Sequence, residues 1–338
     1  MYADVFEVLA RTGAPRCILW SDPPSGLRAV LVIDSLVLGP AAGGVRTRAY
    51  PSLEAAVEDA ARLARAMTVK CALGGLDAGG AKAVVLDHPG LDRARAFAVL
   101  GQRVQELGGL FRTAGDLGTT AADLQAMAST CAYVHTDESG LADAVARGLV
   151  GCIAACAAQR LVPLAGLRVA VQGAGAIGAA VARALAAAGA RVILADLDRV
   201  RATKIAAPIG AAVVGAGEIL ATDVDIVSPC AVGGVLDAAV VGSLRAWAVC
   251  GAANNILAEP SVAAVLQARG ILLVPDVVAS AGAVVDGIGA SVMGLTNRAP
   301  LVDALGHTAA RLLAESARTG RTTVELADEW ARDRLRSR

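Results

Sequence analysis

The chain has 338 residues, equal numbers of basic and acidic side chains, a formal net charge of zero and 55% hydrophobic residues. That length and apolar content fit two domains, each with its own core, and exclude a disordered chain. Neutral charge without a basic cluster argues against nucleic acid or an anionic membrane as partner.

The start, MYADVFEVLARTG, has an early acid and no basic segment, unlike a signal peptide. Apolar runs such as Ala179 to Ala190 are broken by Arg183 and are too short to cross a bilayer, so a cytoplasmic protein is expected. Two strands are predicted at Cys17–Trp20 and Leu27–Asp34, separated by the turn-rich SDPPSG. A glycine loop, Gly39–Gly44, and a short strand near Val45–Arg48 follow. Glu54, Glu58, Asp59, Arg62 and Arg65 recur at helical spacing around an apolar face of Val57, Ala61, Leu63, Ala64 and Met67, so an amphipathic helix leads to Lys70. Lys82 stands behind Gly74-Gly75 and Gly79-Gly80, with a buried strand expected from Ala83 to Leu86. The only other lysine is Lys204, in a chain that otherwise uses arginine. Surface placement is the usual fate of lysine. Two ammonium groups brought to one glycine-lined place would instead repel each other, and with desolvation this converts one of them into a base.

A helix is predicted over Leu91–Leu107, stopped by Gly108-Gly109, and a strand over Leu110–Thr113. The turn AGDLGTT carries Asp116, which reads as an N-terminal cap of a helix starting near Thr120 or as an acid/base partner of the lysines. Residues 140–160 read as a connecting helix in which Cys152 and Cys156 share a face. The seven cysteines are odd in number and lack CxxC spacing, so they read as reduced, mostly buried thiols, and with three scattered histidines no metal site is expected.

Arg168–Gln172 reads as a strand running into Gly173-x-Gly175-x-x-Gly178, an Ala-rich helix and a second strand ending at Asp196, 18 residues beyond the third glycine. This is the dinucleotide fingerprint in its required context. Gly173 permits the turn, Gly175 the approach of a pyrophosphate and Gly178 helix packing, with the amides at Ala176 and Ile177 facing the phosphates. Asp196 would accept from the adenosine ribose and repel a 2′-phosphate, which favours NAD over NADP, although Arg199 and Arg201 lie nearby. The alternative is a glycine turn that binds nothing. Strand-like runs at 211–214, 225–229, 246–251 and 271–275 follow, the last three ending in SPCAVGG, GAANN and PDVVASAGA. In a doubly wound sheet such strand ends hold the ligand. From Ser291 onward the chain reads as helices.

Seven motifs, in order and at matching spacing, resemble the glutamate/leucine/phenylalanine/valine dehydrogenases, closest to the leucine/phenylalanine/valine branch. They are Gly39-Pro40-x-x-Gly43-Gly44, Met67-Thr68-x-Lys70, Gly79-Gly80-x-Lys82, Asp116-x-Gly118-Thr119, Gly173-x-Gly175-x-x-Gly178, Ser228-Pro229-Cys230-Ala231 and Ala253-Asn254-Asn255. The resemblance implies an α/β fold of two domains. An N-terminal substrate and oligomerisation domain (1–138) precedes a Rossmann-type NAD-binding domain (139–290), and C-terminal helices (291–338) return to the first. It implies a homo-oligomer whose cleft closes in turnover, and oxidative deamination of an L-amino acid to a 2-oxo acid and ammonia with NAD as acceptor, with the reverse reaction. By the same resemblance Lys70 holds the substrate carboxylate, Lys82 activates water with its pKa lowered by Lys70 and by closure, and Asp116 shuttles protons to the nitrogen. Gly43, Gly44, Ala42 and Ser280 line the substrate; Cys230, Ala231 and Asn254 flank the nicotinamide.

Glutamate-using relatives carry lysine at the position of Ala42, so the missing cation argues against glutamate. Leucine-type relatives carry leucine there, and the smaller alanine leaves room for an aromatic substrate. Three departures stand out: Ser280 replaces asparagine, Val145 replaces threonine, and Gly115 replaces the glutamate that leucine-type members place before the aspartate. They keep open two further readings, a nucleotide-binding pseudoenzyme and an NAD oxidoreductase of another substrate class.

Overall fold

The structure, a computed structural model, describes residues 4–338; the first three residues of the N-terminal stretch read above lie outside it. The chain forms two compact units.

The first unit runs to Glu138 and includes residues 287–296 and 333–338. Its elements are α1 (Val5–Thr12), β1 (Cys17–Asp22), β2 (Leu27–Ser35), β3 (Ala41–Arg48), α2 (Leu53–Leu73), β4 (Gly79–Leu86), α3 (Arg93–Glu106), β5 (Phe111–Gly115) and α4 (Ala121–Ala128). The five strands form one mixed sheet in the order β1-β2-β4-β3-β5. β1 and β2 pair antiparallel, as do β2 and β4, whereas β3 runs parallel to both β4 and β5. β2 is almost wholly buried because helices cover both sheet faces. Leu27, Ala29, Leu31 and Ile33 pack with Phe97, Leu100 and Val104 of α3 and Met127 of α4. Val30 and Val32 point the other way, with Val84, onto Ala56, Val57, Ala60 and Ala64 of α2.

Two boundaries differ from the sequence reading. β3 begins at Ala41, inside the expected glycine loop, and β4 begins at Gly79, so Lys82 lies within a strand. Glycine's weak strand preference hides both starts, while tertiary contact demands the glycines. A Cβ on Gly43 would lie 1.7 Å from Ala81 O, and one on Gly80 would lie 2.1 Å from Thr68 N. Lys70, likewise, lies within the last turn of α2 and not beyond it.

The second unit comprises residues 139–286 and 297–332. It begins with α5 (Leu141–Gln159), followed by β6 (Arg168–Gln172), α6 (Ala176–Ala187), β7 (Arg191–Ala195), α7 (Arg199–Ala206) and β8 (Ala212–Val213). Then come β9 (Ile226–Pro229), α8 (Ala238–Ser243), β10 (Ala248–Val249), α9 (Val262–Ala268), β11 (Leu272–Leu273) and α10 (Asp276–Ala279). The six strands form an all-parallel sheet in the order β11-β10-β9-β6-β7-β8. The chain starts at β6, winds outward to β8, and returns to wind the other way from β9. The strand order therefore reverses between β6 and β9, the position where such sheets bind ligands.

α5 is long and apolar enough to cross a membrane by composition, but half of it is buried within this unit. Cys152 and Cys156 on it are fully buried, as is Cys250 after β10. Three helices end the chain: α11 (Gly282–Met293), α12 (Ala299–Thr319) and α13 (Thr323–Arg336). α12 crosses α5 at Gly151 and Gly306, where a Cβ on Gly306 would lie 3.0 Å from Gly151 C. Small residues let the two helices close on each other. Residues 297–332 therefore group with the second unit, and only 287–296 and 333–338 group with the first.

Candidate active site

In a strand, alternate side chains share a face. Val84 packs on α2, so Lys82 also faces α2; Arg46, which bonds Asp59 of α2, puts Gly44 and Ala42 on that face as well. Asp116 follows β5 directly and completes the group. Lys82 Nζ lies 2.8 Å from Asp116 Oδ2, and Arg46 Nε donates to the same oxygen at 2.8 Å. Gly44 makes the convergence possible: a Cβ there would lie 2.8 Å from Gly115 O, 3.0 Å from Asp116 Cβ and 3.2 Å from Lys82 Nζ.

The cluster sets a buried amine and a guanidinium against one carboxylate oxygen. Burial lowers the Lys82 pKa and Arg46 lowers it further, against the opposing pull of Asp116. Arg46 is thus a repelling cation that the sequence reading, which gave that part to Lys70, did not single out. Burial pushes the Asp116 carboxyl up, but Lys82, Arg46 and the Leu117 amide outweigh it and bring its pKa down to about 2. Asp116 does not cap α4. That cap is Thr120, in a reciprocal capping box with Asp123.

Lys70 is buried in the last turn of α2. The end of α2 is held down at Thr68, whose hydroxyl donates to Asp34 of β2 and whose backbone abuts Gly80. Ala42 is fully buried, paired in register with Gly80 on one side and Arg112 on the other. Glu138 Oε1 lies 2.9 Å from the place where a Cβ on Gly115 would sit. A carboxylate thus arrives from another segment beside the position where leucine-type relatives place one.

Arg46, Asp59, Tyr50 and the Thr68–Asp34 contact were not singled out as site residues from sequence. The available signal was alternation: Arg46 stands two residues after Gly44 and shares its face.

In the second unit, the predicted cofactor residues gather at the reversal between β6 and β9. Gly173 has φ +103° and touches Ala231, and Cys230 N donates to Gln172 O at 2.8 Å. A Cβ on Gly178 would lie 2.0 Å from Gly173 O, so the helix sits directly on the turn. Gly175 N-caps α6 without any side-chain cap, leaving the amides of Ala176 and Ile177 facing a space that no atom within 4 Å of a Gly175 Cβ fills. Asp196 follows β7. Its Oδ2 accepts from Ala174 N at 2.7 Å and its Oδ1 from Asp198 N at 2.8 Å and Arg201 at 2.6 Å. Burial opposes these bonds, but together they hold the carboxyl below its usual pKa and keep it ionised. An uncapped helix N-terminus, an open glycine cradle and a fixed carboxylate fit a nicotinamide dinucleotide.

Ser280 donates to Asp276 O at 2.6 Å and to Asn254 Oδ1 at 3.2 Å, so these two predicted residues meet. Val145 is buried in α5 against Gly282, whose Cβ would lie 2.8 Å from Val145 Cα. Among the described residues, no group of three His, Cys, Asp or Glu side chains is placed to hold a metal ion.

Comparison with known proteins agrees with this geometry. Residues 19–133 match the family described as Glu/Leu/Phe/Val dehydrogenase, dimerisation domain, and residues 194–288 match Glutamate/Leucine/Phenylalanine/Valine dehydrogenase. Leucine dehydrogenase of Bacillus cereus is 34% identical over 348 residues, covering 100% of this chain and 95% of that protein. Phenylalanine dehydrogenase of Caldalkalibacillus thermarum is 35% identical over 336 residues, 94% of this chain and 90% of that protein. The crystal structure of L-tryptophan dehydrogenase from Nostoc punctiforme superposes with a TM-score of 0.87 at 30% identity, covering 98% of each chain. By its motifs, its two sheets and these likenesses, the chain belongs to the glutamate/leucine/phenylalanine/valine dehydrogenase family of amino-acid oxidoreductases.

Proposed function

We propose that this protein catalyses the NAD-dependent oxidative deamination of an apolar L-amino acid to its 2-oxo acid and ammonia, and the reverse reductive amination. The observation that carries the reading is the buried contact between Lys82 and Asp116, with Lys70 in the last turn of the helix that covers their face. When bound, NAD supplies the acceptor for the hydride that leaves the substrate α-carbon. Lys70 pairs with the substrate carboxylate and sets its orientation. In its neutral form, which burial and Arg46 favour, Lys82 takes a proton from the water that adds to the iminium carbon. Asp116 takes a proton from the substrate ammonium before the hydride leaves and returns it to the nitrogen after water has added, so that the nitrogen departs as ammonia. With Lys82 neutral, Asp116 has lost one of the two cations that hold its pKa down, so it becomes able to carry that proton.

NAD over NADP rests on Asp196, whose charge opposes a 2′-phosphate. An apolar and preferentially aromatic side chain rests on Ala42, which brings a methyl where a distal carboxylate would need a cation. The family's habit supports a homo-oligomer and a cytoplasmic location.

The test is NADH oxidation with ammonia and a panel of phenylpyruvate, indolepyruvate, 4-methyl-2-oxopentanoate and 2-oxoglutarate. Turnover of an aromatic or branched oxo acid, without turnover of 2-oxoglutarate, is expected. Turnover of 2-oxoglutarate alone, or of none, overturns the reading.

A further inference from the structure

Arg46 is tied at both ends. Its Nε donates to Asp116 Oδ2, and its NH1 group donates to Asp59 Oδ2 at 3.1 Å. Asp59 is itself fixed by Tyr50 Oη at 2.7 Å and by Arg62 at 2.6 Å. Burial opposes the Asp59 charge, but those donors outweigh it and keep the carboxylate ionised. The side chains of Arg46 and Asp59 are 12% and 14% exposed, so water screens their contact little. The result is a brace from α2, across β3, to the carboxylate after β5.

The brace matters because Arg46 and Lys82 donate to one and the same oxygen of Asp116. During turnover Lys82 must give up and regain its proton. Each time it becomes neutral, its charge-assisted bond to Asp116 weakens. Guanidinium does not deprotonate in proteins, so the bond from Arg46 persists through the cycle. A lysine at position 46 would be a point charge and would not span Asp116 and Asp59 with a planar fork.

We propose, building on the reaction assigned above, that Arg46 is a positioning residue that holds the Asp116 carboxylate in place whether or not Lys82 carries a proton. The charged and titratable groups around it are Asp116 after β5, Lys82 on β4, Tyr50 after β3, and Asp59 with its partner Arg62 on α2. Arg46 is a fixed cation bonded to Asp116, so its removal leaves Lys82 as the cation on that oxygen and ends the repulsion between the two cations. Both effects favour the protonated form of Lys82.

The experiment compares wild type with Arg46→Gln and Arg46→Lys. The chain has three lysines, so protein labelled with carbon-13 at the lysine ε-carbon gives three resonances, and Lys82→Arg assigns the one of interest. In Arg46→Gln the Lys82 resonance titrates at higher pH, the acid limb of kcat moves with it, and turnover falls about tenfold for each unit of movement. Arg46→Lys restores the titration but recovers turnover only in part. A Lys82 titration unchanged in Arg46→Gln, with kcat within twofold of wild type, overturns the proposal. Should Arg46→Gln fail to fold, Asp59→Asn loosens the brace while keeping the Arg46 guanidinium beside Asp116. A fall in kcat of about tenfold at unchanged KM is then expected, and an unchanged kcat overturns the proposal. A wild type inert towards every substrate would instead overturn the assigned reaction, while the Lys82 titration would still report whether Arg46 governs its proton.

Discussion

Replacing Gly44 by alanine tests the geometry of the cluster through one methyl group. The added carbon would lie 2.8 Å from Gly115 O, 3.0 Å from Asp116 Cβ and 3.2 Å from Lys82 Nζ. Ordinary contact begins near ~3.5 Å, so the neighbours must yield by about half an ångström. The two tightest contacts are with the end of β5 and the first side-chain carbon of Asp116, so relieving them displaces the carboxylate, while Lys82 Nζ, at the end of a flexible side chain, yields with it. Overpacking of this kind costs about 1–3 kcal/mol of stability, and a misplacement approaching 1 Å costs up to roughly 100-fold in rate. Gly44→Ala is therefore expected to fold, to bind NADH as wild type does, and to lose about 10- to 100-fold in kcat. Gly43→Ala is the control. Its Cβ would lie 1.7 Å from Ala81 O, within the sheet itself, so the fold should fail before the chemistry. Steady-state kinetics, NADH fluorescence and thermal unfolding on the three proteins decide it. A Gly44→Ala enzyme with kcat within twofold of wild type refutes the placement of Lys82 and Asp116 around that glycine.

Lys82→Ala should lose about 10²- to 10⁴-fold in turnover while NADH still binds; near-normal turnover would remove Lys82 from its role. Asp196→Ala should weaken NAD binding, because the carboxylate also pins Ala174 N, and should narrow the preference for NAD over NADP by freeing Arg201. An unchanged ratio of kcat/KM for the two cofactors counts against the ribose contact. Asp116 predicts an acid-dependent stability. Its folded pKa of about 2 lies below its ordinary 3.8, so its contribution is present above pH 4 and is lost as pH falls through 2. The difference corresponds to about 2 kcal/mol. Denaturant unfolding between pH 6 and pH 2 should be steeper in pH for wild type than for Asp116→Asn, and parallel curves would contradict the pairing.

What this chain's sequence determines by itself is local or repeated within short windows. The apolar run from Leu27 to Ile33 behind a turn-rich segment, the helical spacing of Glu54 to Met67 and the strand–glycine–helix run at Arg168 to Ala187 each encode their element without distant help. The same holds for the scarcity of lysine, which singled out Lys70 and Lys82 before any geometry existed. The start of β3 was hidden because its glycines reflect contact with another strand, and that contact is absent from the local sequence. The membership of α12 was hidden for a similar reason: its partner Gly151 lies far earlier in the chain. Only tertiary structure decided that Arg46 and Asp116, seventy residues apart, share a bond, and that Lys82 donates to the same oxygen. Register and pleat choose which face each side chain takes, and a shift of one residue would have sent Arg46 to the opposite core. Burial and that arginine lower the Lys82 pKa, and both arise only when three strands and one helix close around it.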